Sequence, residues 1–196
     1  GEESMPNPRL VGWWPLVAIL GVAGVAVRLV GDRYEAVGHA AGHLGSGLIV
    51  FLMAGFLVIV LWAAPATRGS WAVRLASVAY LLGLLAILIG NLRVVDAIGG
   101  QDWSDDEAFA LGQSVPGFES GHSLSGNGAL LAVAAAVALV WALHARRVIP
   151  TGLAIGATVA CILFPYWILP GGGVVVLAVG VVVLRARKIR RRVESV

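Results

Sequence analysis

Long apolar runs separated by short polar segments dominate the chain, at about 12–30, 44–64, 74–95, 123–144, 149–168 and 172–186. Each run predicts a helix that crosses a bilayer, and the Gly and Pro that some carry are tolerated there. The expected fold class is therefore all-α: a polytopic membrane protein of six transmembrane helices, arranged as helical-hairpin repeats, with both termini cytoplasmic. One membrane domain fills 1–196. Hairpin repeat 1 covers 5–70, hairpin repeat 2 covers 71–148, hairpin 3 covers 149–187, and 188–196 form a basic cytoplasmic tail. Glu2 to Ser4, ahead of Met5, read as an extension outside this fold, and no cleavable signal is evident.

An internal echo underlies the repeat reading. Gly42-His43, Ser46-Gly47, Trp62-Ala63 and Arg68 reappear 79 residues later as Gly121-His122, Ser125-Gly126, Trp141-Ala142 and Arg147, without a gap. The two 27-residue windows share 10 identities, several at polar positions that an apolar helix does not need. His to Trp is 19 residues in both copies, about 28 Å of helix at roughly 1.5 Å per residue, which is close to the hydrocarbon thickness of a bilayer. Spans two and four are thus expected to run parallel, with His43 and His122 at one depth and facing the bundle interior. The first arm of each hairpin ends alike, in Arg28 with Asp32 and in Arg93 with Asp96. Parallel repeats of this kind often bracket a shared site.

Composition agrees with a membrane solvent: 59% of residues are hydrophobic, 13% are charged and mean hydropathy is +0.89. Charge then sets the orientation. With a cytoplasmic N-terminus, Arg9, Arg68, Arg74, Arg146, Arg147, Arg185, Arg187, Lys188 and Arg190 to Arg192 fall inside, and only Arg28, Arg33 and Arg93 fall outside. Eight of the eleven acids lie outside, so the external face carries about −5 and the internal face about +8. The pI of 9.6 thus follows from topology. It gives no support to a nucleic-acid partner, because anionic headgroups already account for the basic tail. The single Cys161 excludes an intramolecular disulfide and a cysteine metal cage.

The long outer connection, Ala97 to Gly121, holds N-cap candidates Asp102 and Ser104, then acids, then Phe109. A short interfacial helix is expected there, anchored by Trp103 and Phe109 and broken at Pro116-Gly117.

Candidate chemistry collects at the outer interface. Arg28, Asp32, His39, His43, Arg93, Asp96, Glu119 and His122 form the expected ligand-binding set. His39 and His43 are four residues apart and Glu119 and His122 three apart, spacings that can serve a metal ion, and His43 with His122 could ligate a haem. Structural readings stand beside these: histidines capping helix starts, and Arg-Asp clamps near the membrane surface. Two guanidiniums could equally receive an anion. Small residues Gly45, Ser46, Gly47, Ser125, Gly126 and Gly128 are expected at close helix contacts. A coupled transporter is disfavoured, because no acid or base lies deep in a span. A rhomboid-like serine protease is disfavoured too, since Ser125-Gly126 has no histidine in span six to act as base.

Residues 119–128, Glu-Ser-Gly-His-Ser-Leu-Ser-Gly-Asn-Gly, resemble one motif of the PAP2 family of membrane lipid phosphatases. That family's Pro-Ser-Gly-His stands at the outer start of the fourth of six helices, and Ser120-Gly121-His122 stands there with Glu119 in place of proline. The resemblance implies catalytic candidates His122 and Ser120, which would hold a phosphate and assist a leaving group. Its Lys-x6-Arg-Pro and Ser-Arg-x5-His-x3-Asp motifs have no counterpart here. The leading expectation is therefore a non-catalytic accessory or ligand-binding membrane subunit in the cell membrane. Its partners would be membrane lipids and either other subunits or further copies of itself. A PAP2-like or degenerate lipid-phosphate phosphatase is the alternative.

Overall fold

The computed structural model describes residues 13–31, 38–97, 110, 113–163 and 172–194, with the side chains of 31, 38–43, 188, 189 and 191–194 left out of the description. Among the described residues the chain is all-α. It forms six helices: α1 Trp14–Gly31, α2 Gly38–Ala63, α3 Trp71–Ala97, α4 Pro116–Ala145, α5 Thr151–Leu163 and α6 Gly172–Glu194. Three of them, α2, α3 and α4, are long and apolar enough to cross a membrane. Among the described residues the other three do not reach that length of apolar helix. α1 and α5 are shorter apolar helices. In α6 the apolar run stops at Leu184, and Arg185 begins a basic second half. The expected interfacial helix at 101–109 lies outside the described residues.

Helices adjacent in sequence are adjacent in space, and α6 packs back on α1, which closes a ring. Neighbours run antiparallel. Gly21 of α1 lies against Met53 of α2 while Gly24, further along, lies against Val50, nearer the start of α2.

Each helix builds its inner face by the same arithmetic. Trp14, Val17, Gly21, Gly24 and Arg28 are buried at alternating steps of three and four, as a stripe facing neighbouring helices requires. On α2 the line is Ser46, Val50, Met53, Leu57 and Val60. On α6 it is Val174, Leu177, Ala178 and Val181. Opposite faces carry Ile19, Ile59, Leu75, Leu130 and Ile162, all more than 60% exposed, a pattern that water would penalise and a hydrocarbon solvent would not.

The closest junction joins α3 to α4. An added Cβ at Gly83 would come 2.7 Å from the Ala132 N and 2.8 Å from the Gly128 O; at Gly90 it would meet the Gly121 O and the Ser125 N, both at 2.6 Å. The reciprocal glycines are as tight, Gly128 at 2.7 Å from the Gly83 O and Gly121 at 2.7 Å from the Gly90 O. Glycines seven apart on each helix thus let two backbones touch at two levels. Gly128 fulfils the expected role of a small residue at a helix contact, whereas Gly126 meets nothing within 4 Å and Gly45 only a Val27 methyl at 3.4 Å. Close contact in α4 therefore falls on Gly121, Ser125 and Gly128, and of the Ser-Gly pair that the echo emphasises only Gly126 stands clear.

One end of the bundle is marked by aromatic and basic residues. Trp13, Trp62, Trp71 and Trp141 are exposed there, at helix ends that the 64–70 and 146–150 turns bring together. Trp13 stacks on Phe56 at 5.8 Å, the Arg74 guanidinium lies 5.5 Å from the Trp62 ring, and Trp62 Nε1 donates to Ser77 Oγ at 3.1 Å. Arg146 Nε donates to the Ala66 carbonyl at 3.2 Å and ties the two turns together. Thr67 closes its own turn by donating to the carbonyls of Leu61 and Ala64.

Candidate functional site

The opposite end holds the described sequence-predicted site residues Arg28, Arg93, Asp96, Glu119, Ser120 and His122, and the structure sorts them by burial. Arg28 is 6% exposed. It occupies the next step of the α1 packing line after Gly24, so the guanidinium belongs to the interior rather than to a side chain reaching out along the surface. Level with that region, Ser46 is 2% exposed on α2, since the Cβ of Gly24 would approach the Ser46 carbonyl. Asn91 is 6% exposed on α3, and its Oδ1 accepts a hydrogen bond from Ser125 Oγ of α4 at 3.1 Å. Arg28, Ser46 and Asn91 are thus buried polar positions on three consecutive helices toward one end of the bundle. Burying such groups costs free energy unless they find partners, which is why they are rare in apolar helices and informative when present.

His122, expected to face the bundle interior, is instead exposed, with its ring parallel to that of Phe118 at 6.1 Å. The reason is rotational: Gly121 must face α3 for the backbones to meet, which turns the next residue outward. Glu119 and Ser120 are exposed as well, and Ser120 Oγ donates back to the Gly117 carbonyl at 3.1 Å. Arg93 and Asp96 are both exposed, and among the described residues no ion pair joins them. The expected clamp is therefore not formed on α3. His39 and His43 lie in the first turns of α2 with their side chains outside the described residues, and Asp32 lies outside them altogether.

The shared site expected between His43 and His122 meets an obstacle in the helix order. Around the ring α3 stands between α2 and α4, and the substantial contacts of α2 are with α1 and α3. Among the described residues no group of three or more His, Cys, Asp or Glu is placed to hold a metal ion. Glu119 and His122, the described members of the expected metal set, are on the outer surface of α4.

Sequence reasoning missed Asn91 and treated Ser46 only as a small packing residue. A signal for both existed in the spacing. Asn91 is seven residues after Leu84 and fourteen after Ser77, all buried, so it lies on the inward line of α3. Compared with known proteins, the chain matches no family model, no curated protein and no solved structure.

Proposed function

We propose that this chain is a multi-pass protein of the cell membrane whose six helices all enter the bilayer, with both termini cytoplasmic, and that it serves as an accessory or ligand-binding subunit. Its working part is the buried polar end of the α1–α2 pair, built on Arg28 with Ser46, beside the α3–α4 seam that Asn91 and Ser125 close by their own hydrogen bond. The observation that carries this reading is Arg28, an arginine 6% exposed on a line otherwise occupied by Trp, Val and Gly. A permanent cation at a packing position is an expensive choice for a purely structural helix, and intramembrane charges commonly mark ligand or ion sites. The eleven-to-three division of basic residues supports the orientation.

The test is extraction in native-lipid particles, followed by mass spectrometry of whatever co-purifies with wild type, Arg28→Gln and, as a control at the other end, Arg68→Gln. A small molecule or subunit lost with Arg28→Gln and kept with Arg68→Gln supports the reading; identical profiles for all three sink it. One observation favours the lipid-phosphatase reading as a second: Ser120 and His122 are exposed at the start of α4, where a lipid headgroup would reach them. Hydrolysis of phosphatidate that His122→Ala abolishes would put the enzyme first.

A further inference from the structure

At the end of the bundle opposite Arg28, the packing line of α6 runs Val174, Leu177, Ala178, Val181 and then, one turn later, Arg185. Arg185 is partly buried at the junction of α6 with α1, and its guanidinium lies 5.9 Å from the ring of Trp14, itself only 3% exposed. Its Nη1 is sealed from solvent and has no hydrogen-bond partner among the described residues. A guanidinium donor held in that way calls for an acceptor, since a buried unsatisfied donor carries the full cost of its desolvation.

The chain offers little that could serve. No Asp or Glu occurs between Glu35 and Asp96 or between Glu119 and Glu194, the stretches that supply both turns on this side of the bundle; Glu194 ends α6 about two and a half turns beyond Arg185, and Glu2 and Glu3, ahead of α1 in sequence, lie outside the described residues. Arg187 and Arg190 are exposed on the same helix end, and Arg68, Arg74, Arg146 and Arg147 are exposed across it. The surroundings suit an amphiphile. Beside the cations stand the interfacial indoles, and α1 and α6 expose apolar side chains along their length, Ile19 and Val22 on one and Val179 and Val183 on the other.

We propose that the α1–α6 junction at Arg185 is a binding site for the phosphate of an anionic phospholipid, with Arg185 donating to the phosphate oxygens, Trp14 backing the guanidinium and the acyl chains lying along the exposed faces of α1 and α6. Guanidinium is the favoured phosphate partner because its fork matches the oxygens geometrically. Commitment to a lipid rather than a soluble phosphate rests on the adjoining apolar faces. This site requires only that the bundle sit in a bilayer. It is independent of any ligand at Arg28.

The experiment uses the full chain in detergent, exchanged to remove loosely held lipid and then titrated with phosphatidylglycerol, phosphatidylcholine or glycerol 3-phosphate while bound species are counted by native mass spectrometry. Wild type is expected to retain a first phosphatidylglycerol roughly tenfold more tightly than phosphatidylcholine, whose phosphate can accept the same hydrogen bonds but whose choline cation is repelled by Arg185, Arg187 and Arg190, at about 1 kcal/mol per basic residue, and not to retain glycerol 3-phosphate. Arg185→Gln should erase the preference, Arg185→Lys should restore part of it, and Arg68→Gln should leave it intact. Equal retention of both lipids by wild type overturns the proposal, as does a preference that survives in Arg185→Gln. Preferred retention of glycerol 3-phosphate would show a soluble-anion site and equally overturn it. Should Arg185→Gln fail to fold, brominated phosphatidylglycerol decides: it must quench wild-type tryptophan fluorescence at low occupancy, and Trp14→Phe must lose that component.

Discussion

Replacing Gly90 by alanine tests the architecture at its tightest point. The new Cβ would stand 2.6 Å from two backbone atoms of α4, the Gly121 O and the Ser125 N, and 2.9 Å from the Ser125 Cα. Contact of this kind is comfortable at about 3.5 Å, so α3 and α4 must separate by roughly 0.9 Å locally. No rotamer change can relieve it, because every obstructing atom belongs to a helix backbone. Overpacking of this kind costs about 1–3 kcal/mol, and the upper part of that range applies where the neighbours are rigid. Alanine recovers up to about 1 kcal/mol through its better helix propensity. A net loss of about 1–2 kcal/mol is expected, with Gly83→Ala close behind. Gly126→Ala is the control, since nothing lies within 4 Å of its Cβ; it should be neutral or stabilising by up to about 1 kcal/mol. Gly83 and Gly90 share one seam, so once the helices part at one level the second substitution costs less, and the double variant should fall short of the sum. Unfolding in mixed micelles by titration with dodecyl sulfate, followed by far-ultraviolet circular dichroism, reports all four variants. Gly90→Ala and Gly126→Ala unfolding at the same detergent fraction would refute the close approach of α3 and α4.

Two further outcomes follow from single contacts. Ser125→Ala removes the donor to Asn91 Oδ1 and should cost about 0.5–1 kcal/mol, the lower range for a bilayer hydrogen bond; a double-mutant cycle with Asn91→Ala that shows no coupling would contradict the pairing. Cys161 is buried, with its Sγ against the Cα side of Gly173, so native protein should resist maleimide. Gly173→Ala, which would push a methyl onto that sulfur, should raise the labelling rate at least about tenfold through opening of α5 from α6, and rapid labelling of wild type would contradict the burial.

Apolar length made the helices legible in the sequence, because a run such as Leu48 to Leu61 has no other stable state in a lipid solvent. Rotation about each helix axis was not legible from length. The echo drew attention to His122, yet the neighbouring Gly121 fixes the rotation of α4 by its contact with Gly90, and that contact depends on a glycine 31 residues away. Arg28 shows the converse. Its distance from the end of the first apolar run allows a snorkelling reading, and only the position of Gly24 against Val50 and Ser46 places the guanidinium on the inner line.

Both ends of the ring continue a helix's apolar packing line into an arginine, Arg28 on α1 and Arg185 on α6, and these two helices pack against each other in opposite directions. The pair therefore sits at the two ends of one junction, with Val17, Gly21 and Val175 between them. Their settings differ in kind. Arg28 is buried on the line that packs α1 against its neighbours, near Ser46 of α2, whereas Arg185 adjoins indoles, exposed valines and further cations. An enclosed cation selects by shape and hydrogen bonding, and a cation at an amphiphilic edge selects by charge. On this argument loss of Arg28 should alter which partner is held, and loss of Arg185 should alter which lipids surround the protein.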